Sequence, residues 1–163
     1  MNIFKEVERG IDGESESYNV FVYGTLKKGF CNNRCIREGK LIGDGKTIEL
    51  YAMSDLGAFP AIDITKAISN IKGEVWNVSP DTLFNSLDHL EGYPSFYNRR
   101  EEVIELESGE RVKALMYHLN NPSDYDKHYI HSGFWGGSDF KRDRLTRDNK
   151  SKINNNRHRG TIA

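Results

Sequence analysis

Glu91 is an acid standing where a helix would normally present an apolar side chain. The segment from Ser79 to Gly92 opens on a serine able to cap backbone amides, with Pro80 at the first helical position. It closes on Gly92, the residue type that most readily makes the left-handed turn ending a helix. Between them Leu83, Leu87 and Leu90 recur at i, i+4 and i+7 and draw one inward face, and the i+8 slot is Glu91. A carboxylate on that face, at the negative end of a helix dipole, is expected to have its pKa raised by burial and by the dipole. That direction suits a general base working near neutral pH. The competing expectation is a frayed helix end that turns Glu91 into water, since acids are seldom buried.

A second segment offers a partner for that acid. Tyr18 to Tyr23 is a short β-branched and aromatic run that reads as a buried strand, and it stops at Gly24-Thr25-Leu26-Lys27-Lys28-Gly29. A glycine straight after a core strand allows a sharp turn and leaves successive backbone amides unpaired, a concave donor site for a carboxylate or phosphate. The spacing is not that of a Walker loop. Lys27 and Lys28 are expected to be exposed and solvated.

Taken together these residues resemble the gamma-glutamylcyclotransferase-like family. Val20-Phe21-Val22-Tyr23-Gly24-Thr25-Leu26-Lys27-Lys28-Gly29, with Asn32-Asn33 after it, looks like the family's opening motif. Leu87-Asp88-His89-Leu90-Glu91-Gly92-Tyr93-Pro94-Ser95-Phe96-Tyr97-Asn98-Arg99 looks like its second motif, and Gly73-Glu74-Val75-Trp76 like the strand before it. The likeness spans about residues 18–120, with a fainter echo in Ser132-Gly133-Phe134-Trp135, and is nearest to the gamma-glutamylamine cyclotransferases. It implies Glu91 as the catalytic acid/base and Tyr23, Gly24, Thr25, Leu26, Tyr97 and Tyr117 as substrate-binding residues. The implied reaction is attack of a substrate α-amine on its own γ-carbonyl, releasing 5-oxoproline and an amine. It implies no cofactor and no metal; the partner is a small gamma-glutamyl molecule.

Other groupings read more plainly. Cys31 and Cys35 have a C-x₃-C spacing without a second pair, so two free thiols are expected rather than zinc ligands, and they suit a reducing cytoplasm. His128-Tyr129-Ile130-His131 lacks a partner carboxylate motif and is expected at the surface or in packing. Gly43-Asp44-Gly45-Lys46 reads as a turn.

With 163 residues the chain suits one core, and no apolar run has transmembrane length or the form of a secretion signal. The formal net charge of −1 hides an asymmetry: Lys141 to Ala163 hold eight Lys/Arg and two Asp/Glu, with few large apolar residues. Residues 1–17 are expected to be a flexible leader, 18–140 the cyclotransferase-like domain, and 141–163 a flexible basic tail. That tail is expected to be a solvated extension, with nucleic acid or an acidic protein as the alternative partner.

Strands are expected over Lys46–Met53, a short stretch after Phe59, Ile71–Val78, Arg99–Leu106 and Arg111–Leu119, the last two joined by a hairpin at Glu107-Ser108-Gly109-Glu110. One helix among strands argues for an α+β domain; a small mixed β-barrel of six to seven strands, its main helix carrying Glu91, is what the resemblance adds. Two functions follow: a cofactor-free cyclotransferase, or a binding module that keeps the pocket and uses its tail. A buried Glu91 favours the enzyme, because a binder gains nothing from a desolvated carboxylate.

Overall fold

The computed structural model describes residues 16–124 and 128–137. The leader and the basic tail assigned from sequence therefore lie outside the described residues, apart from the leader's last two positions. Six strands form the framework: β1 (Tyr18–Val22), β2 (Lys40–Asp55), β3 (Pro60–Asp63), β4 (Ser69–Val78), β5 (Tyr97–Leu106) and β6 (Arg111–Leu119). Their order is β3-β2-β4-β1-β6-β5, and β2 also pairs with β5, which closes five of them into a barrel with β3 as an extra edge strand. The sheet is mixed: β1 runs parallel to β6 and antiparallel to β4, and the other pairings are antiparallel. This is the α+β barrel expected from the resemblance.

One expectation about the strands was wrong. Gly43-Asp44-Gly45-Lys46 is no turn; it lies inside β2, pairing with Val75, Glu74, Gly73 and Lys72 of β4. The physical reason is closure. Gly45 also faces Leu106 of β5, and a Cβ there would meet the Glu105 carbonyl oxygen and Ile104 Cγ2 at 2.8 Å. A glycine is needed because β5 crowds this one position, where β2 pairs with β4 and β5 at once. A bulge between Leu41 and Gly43 bends β2 toward that double role.

The core fills the barrel and the space under the helical segment. Val20, Phe21, Val22, Tyr23, Ile71, Val75, Ile104 and Met116 are buried on the strands, and Leu83 and Leu87 close it from the helix. Helical backbone runs through residues 80–91, but Thr82–Leu87 adopts wide π geometry and only Asp88–Glu91, here α1, is α-helical. Both expected ends are in place. Ser79 Oγ accepts the Thr82 amide at 3.1 Å, and Gly92 takes the left-handed conformation at φ 70°.

Candidate active site around Glu91

The π turn decides which side chains point inward. Its i→i+5 bond, from the Asp88 amide to the Leu83 carbonyl, inserts a residue's worth of rotation into the helix. Leu83, Leu87 and Glu91 are fully buried as the apolar stripe implied, while Leu90 is only partly buried and Asp88 takes an inward position.

Glu91 is 0 % exposed, and neither carboxylate oxygen has a hydrogen-bond partner. Burial pushes its pKa well above the carboxylate range, and the neighbouring Cys35 and then Asp88 add to the rise. An ionised acid in this position has no donor to stabilise it, so the proton is held unless another base or charge draws it off.

Asp88, one turn earlier, is the opposite case. Arg99 grips it with two bonds, Nε to Oδ1 at 2.8 Å and an NH2 nitrogen to Oδ2 at 2.9 Å. The Tyr117 hydroxyl donates to Oδ1 at 2.6 Å. The Arg99 guanidinium also lies over the Tyr93 ring at 4.2 Å and the Phe84 ring at 5.7 Å, so β5 touches the helical segment before, at and after Asp88.

Three buried tyrosines line the barrel side of the site. The Tyr23 hydroxyl donates to the Tyr117 carbonyl at 2.8 Å, and the Tyr97 hydroxyl to the Pro60 carbonyl at 3.0 Å. Burial drives the Tyr23 phenol well above its ordinary pKa; the Glu91 carboxylate raises it further, while hydrogen bonding to Tyr97 and the Ile62 backbone acts the other way. Tyr23, the residue before Gly24, therefore feels the charge of Glu91 directly.

The turn after β1 is buried through Gly24, Thr25 and Leu26. Its bonds employ carbonyls and later amides: Lys27 N–H to the Gly24 carbonyl at 3.0 Å, Asn32 N–H to the Thr25 carbonyl at 3.0 Å, and Lys28 N–H to Glu74 Oε1 at 2.9 Å. Among the described residues no bond uses the Gly24, Thr25 or Leu26 amide as donor. Asn32 and Asn33 clip the turn in place, through Thr25 Oγ1 at 3.0 Å and the Leu26 carbonyl at 2.8 Å. They lead directly into the 3₁₀ turn Asn33–Ile36, which carries Cys35 toward Glu91, and the Ser86 hydroxyl ties the Cys35 carbonyl to the helical segment at 2.8 Å. The amide turn and the acid thus belong to one connected end of the barrel.

Lys27 departs from expectation. It is only 4 % exposed: its ammonium donates to the Trp135 carbonyl at 2.7 Å and lies 4.2 Å from the Phe134 ring centre, and burial lowers its pKa. Lys28 is exposed as expected. Cys31 and Cys35 are free thiols, and His128 and His131 are exposed. No metal-type cluster occurs among the described residues. A crevice of about 650 Å³ lies away from Glu91, lined by residues including Lys27, Gly45, Lys72, Glu74 and Phe134. Its lining carries four lysines and four carboxylates, whereas the orphaned acid lies by Tyr23.

Sequence reading missed Asp88 and the clipping role of Asn32 and Asn33. A second acid three residues before Glu91, with an arginine in the next strand, was the available signal. Helical periodicity of 3.6 could not place it inward, because that placement depends on the π turn.

A closed mixed barrel with one short helical segment is the fold of small cyclotransferase-like domains. Residues 20–137 match the family described as Gamma-glutamyl cyclotransferase, AIG2-like, and the chain belongs to that enzyme family. A Methanocaldococcus jannaschii protein provisionally named a gamma-glutamylcyclotransferase is 43% identical over 99 residues, 60% of this chain and 81% of the relative. Gamma-glutamylaminecyclotransferase A of Danio rerio is 30% identical over 109 residues, 61% of this chain and 67% of the relative. The crystal structure of an AIG2-like protein from Mus musculus superposes with a TM-score of 0.62 at 25% identity, covering 72% of this chain and 87% of that one. No helix among the described residues is long and apolar enough to cross a membrane.

Proposed function

We propose that this chain cyclises gamma-glutamyl amines, with Glu91 as the acid/base that moves the protons. The observation that carries the reading is the fully buried Glu91 carboxylate with both oxygens unpartnered. In the proposed cycle the Gly24, Thr25 and Leu26 amides hold the substrate α-carboxylate. Tyr23 and Tyr97 wall the glutamyl moiety. Glu91 takes a proton from the α-ammonium, freeing its lone pair to attack the γ-carbonyl. The new C–N bond closes the five-membered ring, and the old γ-amide C–N bond breaks. Both protons lost by the α-nitrogen end on the departing amine, so Glu91 finishes as it began. Holding amine and carbonyl in near-attack geometry supplies the remaining acceleration.

The relative named for gamma-glutamylamine cyclisation tilts the leaving group toward a gamma-glutamyl-ε-lysine type over glutathione. The free thiols Cys31 and Cys35 fit a reducing cytoplasm. The test is 5-oxoproline release from gamma-glutamyl-ε-lysine, other gamma-glutamyl amines and glutathione. Turnover of at least one is expected, and Glu91→Gln is expected to lower it about 10²–10⁴-fold. No product from any of them at high enzyme concentration would overturn the assignment; wild-type rates in the variant would put the base elsewhere.

A further inference from the structure

The Asp88 carboxylate makes three charge-assisted or short hydrogen bonds, and none of them serves the reaction proposed above directly. Its partners come from two different strands, Arg99 on β5 and Tyr117 on β6. The group it restrains is the single turn α1, whose last residue is Glu91. That turn follows a π segment, a helical form frequent at functional sites, and is only four residues long. Glu91 has no bond of its own to fix where its carboxylate points. Resting on the cyclotransferase reading, we infer that Asp88 is the positioning residue for Glu91, pinned by the Arg99 fork and the Tyr117 hydroxyl so that the acid faces the amide turn.

This assigns Tyr117 a different task from wall contact with the substrate. Its one hydroxyl proton is given to Asp88, which leaves only the oxygen lone pairs for any ligand. Arg99 suits its task because a planar fork fixes both carboxylate oxygens at once, which a lysine cannot do. Its guanidinium is held in turn between the Phe84 and Tyr93 rings.

The titratable groups that face Glu91 are Cys35 from the 3₁₀ turn, Tyr23 just after β1, Tyr117 of β6 and Asp88 itself, with Arg99 of β5 behind Asp88. Asp88 is one of the charges that raise the Glu91 pKa. Removing that charge while leaving Arg99 is expected to lower it, and the kcat-against-KM split is what separates positioning from a merely structural role.

The experiment compares wild type with Asp88→Asn and Tyr117→Phe. For Asp88→Asn the expected result is a kcat loss of about 10²-fold with KM little changed, since small misplacement of a catalytic group costs that much. Its acid limb is expected at lower pH than in wild type. Tyr117→Phe, which keeps the Arg99 fork, is expected to show a smaller kcat loss and again little change in KM. A rise in KM with kcat preserved would return Tyr117 to substrate contact and overturn its positioning task; wild-type kcat in Asp88→Asn would overturn that of Asp88. Infrared titration of the Glu91 carboxyl, as the difference from Glu91→Gln, needs no substrate. A titration moved to lower pH in Asp88→Asn shows that Asp88 sits against Glu91 as the positioning claim requires, even if wild type forms no 5-oxoproline, and an unmoved titration sinks that claim even if wild type is active. Should Asp88→Asn fail to fold, Tyr117→Phe decides the positioning claim by its kcat and KM alone.

Discussion

Asp88 and Glu91 stand one turn apart on α1, the first gripped by three hydrogen bonds and the second by none. Two buried acids on one short helix are held in opposite electrostatic states. Asp88 meets a guanidinium and a phenol, while Glu91 meets tyrosines, a thiol and apolar side chains. On the proposed reading the ion-paired acid holds position and the desolvated one exchanges protons.

The rate profile should expose that difference. A base must be deprotonated to work, and burial sets the Glu91 pKa well above the ordinary carboxylate range. With gamma-glutamyl-ε-lysine, kcat/KM is expected to fall as pH drops through that raised value, tenfold per pH unit on the acid side. Steady-state kinetics over a pH series measures this. A limb near pH 4, the range of an exposed glutamate, would mean that Glu91 is wet or is not the base.

Stability should depend on the same proton. Below the unfolded glutamate pKa of about 4.3 both folded and unfolded chains hold it, and Glu91 adds no penalty. As pH rises past that value the unfolded chain releases the proton while the folded chain keeps it, so folding stability falls until pH passes the raised folded value. Glu91→Gln removes this loss. The Tm of the variant minus that of wild type is expected to be small near pH 4, to grow with pH and then to level off. Differential scanning calorimetry over that series checks it, and a flat difference would contradict a dry carboxylate.

Much of this was legible in the residues. The Tyr18–Val22 strand, the helix caps at Ser79 and Gly92, the β5–β6 hairpin and the inward set of Leu83, Leu87 and Glu91 all follow from local pattern. What local pattern could not supply was anything fixed by distant contact. Gly43 and Gly45 read as a turn because the crowding that requires Gly45 comes from β5, some sixty residues later. Lys27 read as solvated because its carbonyl partner, Trp135, is 108 residues away. Asp88 was not singled out, because a regular helix would not turn it inward and the π turn that does left no mark in the apolar spacing.

Barrel closure gives a stability test at Gly45. Gly45→Ala places a methyl group against the Glu105 backbone oxygen, which cannot step aside without breaking the β2–β5 ladder. A loss of about 1–3 kcal/mol is expected, the usual cost of overpacking. Asp44→Ala, at the exposed neighbouring position, is expected to stay within about 0.5 kcal/mol of wild type. Urea denaturation of both measures the contrast, and equal midpoints would mean that β2 does not hold both neighbours at once.

The amide turn can be probed without touching its amides. Asn33 donates its side-chain amide to the Leu26 carbonyl at 2.8 Å, and that bond helps fix the plane of the peptide unit joining Leu26 to Lys27. Asn33→Ala frees this carbonyl and is expected to cost about 1 kcal/mol of stability, the net worth of one such bond. If the turn holds the substrate α-carboxylate, loosening it weakens ground-state and transition-state binding alike. KM should then rise several-fold while kcat changes little, the pattern expected when uniform binding is lost. Glu91→Gln should do the reverse, lowering kcat with KM nearly unchanged. Kinetics of the two variants on one gamma-glutamyl amine separates the anion cradle from the proton carrier; a kcat loss in Asn33→Ala that matched the one in Glu91→Gln would place both residues in a single catalytic task.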